Sequence, residues 1–320
     1  MLTLALSAVV SSMAMNPAGA VALGVSINEL QNFQVTSSSL GTLTLTDASR
    51  NSSNSVVFQG GISVAPNSVS AVLPGDTAAG LICSGPGCPA ALTEIARADA
   101  SASGDILSAF GSTMFTSAEA QRGTFGAASA NGSDTLIGSL TLSAAGFITF
   151  SFSARRDLQA SVSNIGDMAS ATIQDIFNIS CGVNSPVGCS ALANEDGVLF
   201  QFSPNGNALT GDDVNGNSAT SVDSFNLNTT TSTNNPLNPR SFVNGFSPFS
   251  LTSNFELPTG IYSFSLSKST QTNIFVAQQA TQISEPGTVL LFGVGLAGLC
   301  CVRRRQPAFP AEKKFNSSKN

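Results

Sequence analysis

Phe147-Ile-Thr-Phe-Ser-Phe-Ser-Ala154 is the stretch that decides the fold class. Ile148, Phe150 and Phe152 fall at every second position, with Thr149, Ser151 and Ser153 between them. A period of two puts the apolar side chains on one face of a strand and the hydroxyls on the other, whereas a helix needs a period of 3.6. Upstream, Thr135-Leu-Ile-Gly-Ser-Leu-Thr-Leu142 has the same character and ends in the turn Ser143-Ala-Ala-Gly146, so the two segments together read as a β-hairpin. Downstream, Leu158, Ala160 and Val162 carry the alternation past Arg155-Arg156-Asp157.

Working outward, Gly260-Ile-Tyr-Ser-Phe-Ser-Leu-Ser267 echoes Gly146-Phe-Ile-Thr-Phe-Ser-Phe-Ser153, with Tyr262, Phe264 and Leu266 at the inward positions. Two readings of the echo stay open: equivalent edges of facing sheets, or the same strand of two related halves. Leu257-Pro-Thr-Gly260 before it is a turn. Thr42 to Thr46 alternates strictly, and Ser55 to Gln59 and Gly61 to Val64 are short strands. Ala96, Ala98, Ala100 and Ala102 share one strand face, while Ile106 to Gln121 is the best helical segment. Asn205 to Asn244 is so rich in Asn, Thr, Ser and Gly that it reads as a long flexible surface loop. Short strands broken by turn residues predict a mainly β body, an antiparallel sandwich.

Composition narrows the function. Only 10% of the 320 residues are charged, against roughly 25% in an average globular chain, and hydroxyl and amide side chains replace them. Six of the 13 Lys and Arg, but only two of the 19 acids, lie after Ile283, so the body is acidic and the C-terminal end basic. An acidic body argues against nucleic acid, whose phosphates demand cations.

The body's cysteines come in local pairs, Cys83/Cys88 and Cys181/Cys189, each enclosing Gly and Pro. In an oxidising compartment they read as two disulfides pinning loops. The metal alternative would need all four thiolates, because the chain has no histidine. Without histidine, Ser-His and Cys-His nucleophilic systems are also excluded. A glycosidase-like carboxylate pair would have to come from Glu195, Asp196, Asp212, Asp213 or Glu256, without the aromatic platforms of a sugar cleft, since Trp is absent and Tyr occurs once. The body is therefore expected not to be an enzyme. Asp212, Asp213, Asn215 and Asn217, with Asp223 beyond, offer oxygen ligands around a Gly in the manner of a weak Ca²⁺ loop; a solvated turn is the plainer reading.

The two ends read as addresses. Leu2 to Val10 is an apolar run followed by Ala18-Gly19-Ala20, a small-x-small site, so residues 1–20 are expected to be a signal peptide despite the absence of a preceding basic residue. At the other end, Gly287 to Val302 is uncharged over 16 residues and is followed by Arg303-Arg304-Arg305. As a helix it would span about 24 Å, a marginal transmembrane stop with its arginines held on the cytoplasmic side.

Ser284-Glu285-Pro286, a Gly-rich apolar helix containing Gly293-Val-Gly-Leu-Ala-Gly298, and the Arg303–Arg305 cluster together resemble a PEP-CTERM sorting signal. Ser284 stands where the family usually has its first Pro, and 15 residues follow the arginines. The resemblance implies a Gram-negative exported protein processed by an exosortase, at a surface rich in exopolysaccharide as in a biofilm. The chain then divides into a signal peptide (1–20), a secreted β-rich domain (21–282), a sorting signal with a short transmembrane helix (283–305) and a cytoplasmic tail (306–320). The expected role is structural or adhesive at the cell envelope, the alternative being a lectin-like module stabilised by Ca²⁺.

Overall fold

The computed structural model describes residues 22–61, 64–73, 75–88, 94–108, 111–182, 184–194, 197–206 and 218–278. The strands are β1 (Ala22–Ser37), β2 (Leu43–Phe58), β3 (Asn67–Val72), β4 (Thr77–Ala78), β5 (Ile82–Ser84), β6 (Ile95–Gly104), β7 (Ser112–Arg122), β8 (Gly126–Leu142), β9 (Ile148–Val162) and β10 (Met168–Cys181). After the one-turn helix α1 (Cys189–Leu192) come β11 (Val198–Phe202), β12 (Ser218–Asp223), β13 (Thr229–Thr233), β14 (Arg240–Ser253) and β15 (Gly260–Val276). The first sheet has the order β12-β14-β9-β1-β7-β6-β4, with β5 also on β6; the second has β11-β10-β15-β8-β2-β3, with β13 also on β10. Every strand pairing is antiparallel. The two sheets share a core, as the predicted β-sandwich requires.

The alternation read from Ile148 onward holds to Val162: Ile148, Phe150, Phe152, Ala154, Leu158, Ala160 and Val162 are all buried. The hairpin does not. β8 pairs with β15 and β2 in the second sheet, whereas β9 pairs with β1 and β14 in the first. The turn at 143–146 is an arch between sheets, so Leu140 and Leu142 bury against the same core as Ile148 and Phe150. Two consecutive alternating strands can bury their apolar faces side by side or face to face, and the alternation is identical in both.

The echo of β9 in β15 belongs to facing sheets, and both strands lie inside their sheets rather than at the edges. Gly146 and Leu257, each just before its strand, exchange two backbone hydrogen bonds of 3.1 and 2.9 Å. From that bridge one strand enters each sheet, and Phe150 and Phe264 meet with ring centroids 6.1 Å apart. The Tyr262 hydroxyl donates to the Pro258 carbonyl at 2.6 Å and so ties the Leu257–Gly260 turn to the strand that follows.

The helix expected over Ile106–Gln121 is a turn followed by β7. Ser112, Met114, Thr116, Ala118 and Ala120 are buried alternately, so burial on one sheet face overrides the helical propensity of alanine. The loop expected over Asn205–Asn244 contains β12, β13 and the start of β14. These are edge strands of Ser and Thr, short of apolar residues because they cover sheet edges rather than core; Phe225 and Leu227 between them are the anchors. Ser55–Phe58 is the end of one long β2, and Gly61 and Val64 lie outside any strand. Among the described residues no helix is long and apolar enough to cross a membrane; the predicted signal peptide and C-terminal transmembrane helix lie outside them.

Candidate functional site

The core is layered along the strands. On β15 the inward positions run Tyr262, Phe264, Leu266, Lys268, Thr270, Thr272, Ile274 and Val276, all buried. Apolar ends therefore enclose a polar middle, and neighbouring strands repeat the pattern at the same level. In register, Asp175 of β10 lies opposite Lys268, Lys268 opposite Asp134 of β8, and Asp134 opposite Ser52 of β2. Asn28 and Thr116 face this row from the first sheet, paired with each other across β1 and β7.

Hydrogen bonds stitch the belt across the core. Asn28 Nδ2 donates to Asp175 Oδ2 at 2.7 Å, Ser26 Oγ to the Thr172 carbonyl at 2.8 Å, and Lys268 Nζ to the Met114 carbonyl at 3.2 Å. The buried Arg50 Nη2 donates to the Gly104 carbonyl and the Ser112 hydroxyl at 2.8 and 3.0 Å. Ser52 and Thr77 share a hydroxyl–hydroxyl bond of 2.6 Å. Neither oxygen of Asp134, nor Oδ1 of Asp175, receives a well-formed hydrogen bond from the described residues.

Burial dominates the electrostatics, because water is the best solvent for charge. It pushes the Asp134 carboxyl up to about 7, with the Ser52 hydroxyl and the Lys268 and Arg50 charges offsetting only part of the effect. Asp175 rises to about 6 for the same reason, and desolvation brings the Lys268 amine down to about 8. Lys268, Asp134 and Asp175 all have no exposed surface, so a dissolved substrate cannot reach them.

One residue of this row carries a signal in the sequence. Lys268 is the sole lysine before Lys313, and it continues the inward series Tyr262, Phe264, Leu266. The described residues among the sequence candidates lie apart from this row. Cys83 with Cys88 and Cys181 with Cys189 stand at disulfide distance, with Cα atoms 5.8 and 6.0 Å apart. Glu256 is exposed on the turn before β15. Asp223 caps the chain turn at Asn205, accepting from its N–H at 2.8 Å. Glu195, Asp196, Asp212, Asp213, Asn215 and Asn217 lie outside the described residues, as do Ser284, Glu285, Pro286, Arg303, Arg304 and Arg305.

The outer faces of the two sheets differ in kind. On the first, Glu29 opposes Arg155 and Arg97 opposes Glu119, with N–O distances of 2.6 and 2.5 Å, and Asp157 stands nearby. On the second, the outward positions of β8, β10 and β15 carry no charge along their whole length. β15 presents Ser263, Ser265, Ser267, Ser269, Gln271 and Asn273 in succession. Lateral bonds order this array: Ser53 and Ser133 hydroxyls meet at 2.8 Å, as do Thr172 and Thr230 at 2.9 Å. In the middle of β15 the hydroxyls and amides repeat about every 6.8 Å along the strand, while Ile137, Ile261, Met168 and Phe275 are apolar outward positions of β8, β10 and β15.

Residues 282–305 match the family model of the PEP-CTERM protein-sorting motif. No curated protein and no solved structure matches the chain.

Proposed function

We propose that this chain, which carries a PEP-CTERM sorting motif and is thereby an exosortase-targeted exported protein, is a non-enzymatic structural or adhesive component of the cell envelope or extracellular matrix. The sorting motif is the observation that carries this reading. The body supports it: its acid–base groups with the largest shifts are sealed between the sheets, which suits a durable module better than a catalyst. Residues 1–20 act as the export signal, and Gly287–Val302 serve as a transient inner-membrane anchor until the exosortase acts.

The test is the mass of the protein recovered from its host's envelope and medium, with and without the exosortase gene. A form starting near Val21 and ending near Glu285 only when the enzyme is present supports the reading. Retention of Arg303 to Asn320 in both strains overturns it.

A second reading is favoured by the uncharged outward positions of β8, β10 and β15 in the second sheet: a lectin-like module for a neutral exopolysaccharide. A surface of hydroxyls and amides offers a glycan donors and acceptors without attracting polyions. Its calcium form rests on Asp212, Asp213, Asn215 and Asn217. A Ca²⁺-dependent rise in Tm supports that form, and an unchanged Tm removes it.

A further inference from the structure

Lys268 is the one lysine of the secreted body, and it lies wholly inside the core between two carboxyl groups on its neighbouring strands. Residues directly opposite on antiparallel strands have Cβ atoms about 4.5–5.5 Å apart, within reach of a lysine stem and an aspartate. Asp175 is held on one oxygen by Asn28, 2.7 Å away, and its other oxygen has no partner among the described residues. The amine rests on the Met114 carbonyl at 3.2 Å, a weak neutral acceptor for a buried cation, and makes no ion pair with either aspartate, so a turn of the lysine stem within the sheet must bring it to the carboxyl it attacks. Leu266, Ile173, Phe177, Leu136 and Met114 pack around the row and exclude water. An amine stripped of its hydration shell is a nucleophile, and here the acyl groups in register with it are Asp175 and Asp134.

We propose that Lys268 and Asp175 become joined by an intramolecular isopeptide bond, with Asp134 as the proton carrier. The Lys268 ammonium gives one proton to Asp134, and the free amine attacks Cγ of Asp175. The new N–C bond forms as one C–O bond of the Asp175 carboxyl breaks, and that oxygen leaves as water with protons relayed by Asp134. The balance is one ammonium plus one carboxylate giving one amide plus one water, with no oxidant, nucleotide or second enzyme. Burial favours each step. It lowers the proton affinity of Lys268 and raises that of Asp134, so passing a proton from the ammonium to the carboxylate costs less here than in water. The product also removes two buried charges that are costly to keep between the sheets. The bond ties β15 to β10 in mid-sheet and does not depend on where the protein acts.

The experiment is peptide mass analysis of the full chain, folded, then reduced, unfolded and digested. A peptide containing Lys268 is expected covalently joined to one containing Asp175, lighter than their sum by one water. Asp175→Ala and Lys268→Met are expected to yield only separate peptides. Asp134→Asn, which keeps the shape of the site, is expected to fold with the same circular dichroism but to lose or slow the bond at least tenfold. Recovery of Lys268 as a free amine from the folded wild-type chain overturns the proposal, whatever the variants do. A link from Lys268 to Asp134 overturns the assignment of Asp175, and undiminished linkage in Asp134→Asn overturns the proton-carrier role.

Discussion

One end of the core is built around packed rings and the other around a cluster of alanines. Phe33, Phe150, Phe152 and Phe177 lie with centroids 5.0 to 6.2 Å apart at the first end. At the second, Ala96, Ala98, Ala118, Ala120, Ala128 and Ala130 occupy the inward positions. There the sheets nearly touch: a Cβ on Gly132 of the second sheet would sit 2.6 Å from the Asp99 carbonyl and 2.9 Å from that of Ser117 in the first. Inward side-chain volume thus sets the gap between sheets, and the polar belt sits where the gap changes. In that middle zone neither rings nor methyls fill the space, and Arg50, Lys268 and the two aspartates do.

The aromatic end is the more sensitive to truncation. Phe177 packs against Phe33, Phe150, Phe152 and Phe202, so Phe177→Ala leaves a cavity on every side. A loss of about 3–5 kcal/mol is expected, read as a shift of the denaturation midpoint at constant slope. The belt comes next. Asp134 binds its proton at about 7 when folded, against 3.8 for an ordinary aspartate, so between those values the folded state holds more protons than the unfolded. Stability therefore falls as pH rises from about 4 to about 7, by up to about 4 kcal/mol from this group. A melting series across that window checks it, and Asp134→Asn should flatten the slope. Closure of the Lys268–Asp175 bond leaves this expectation in place, because Asp134 still titrates.

The narrow end answers to the opposite change. Ala118→Leu asks for volume where backbones are already close, and about 1–3 kcal/mol of destabilisation is expected from strain rather than from a cavity. Ala→Leu tolerated there without loss would mean that the sheets separate freely, and the wedge-shaped core would be wrong.

What could be read in advance follows the same division. Strict alternation, as in Ile148–Phe152 and Tyr262–Leu266, announces a strand and its inward face because the period is local. Which sheet a strand joins is not local. The arch at Ser143–Gly146 and a hairpin turn obey the same residue preferences, and only the partners of β8 and β9, far along the chain in β15 and β14, distinguish them. The helix expected before Gln121 failed for a related reason: Ala118 and Ala120 are small because the opposite sheet is close, not because they favour a helix. The Ser and Thr of β12 and β13 resembled a loop because they show no apolar alternation, although Thr231 and Thr233 are buried. The belt was half visible, since Lys268 stands out in the inward series, but Asp134 and Asp175 join it only through the register.

The smallest expected change in stability belongs to the outer faces, and it is the one that bears on function. Ser267 and Gln271 point outward from β15 in the middle of the uncharged array, and Ser153 points outward from β9 on the charged face. Replacing Ser267 and Gln271 together by Lys should move the denaturation midpoint by no more than about 0.5 kcal/mol, since neither position is buried in the core. Ser153→Lys should be equally silent. If the second sheet recognises a neutral polysaccharide, the double substitution abolishes retention on an immobilised neutral glycan, because cations on both sites disrupt the lateral hydroxyl order and hold water of their own. The Ser153 variant keeps it. Equal retention of all three proteins would take the glycan away from this face, and with it the lectin-like reading, while leaving the exported, sorted protein as it stands.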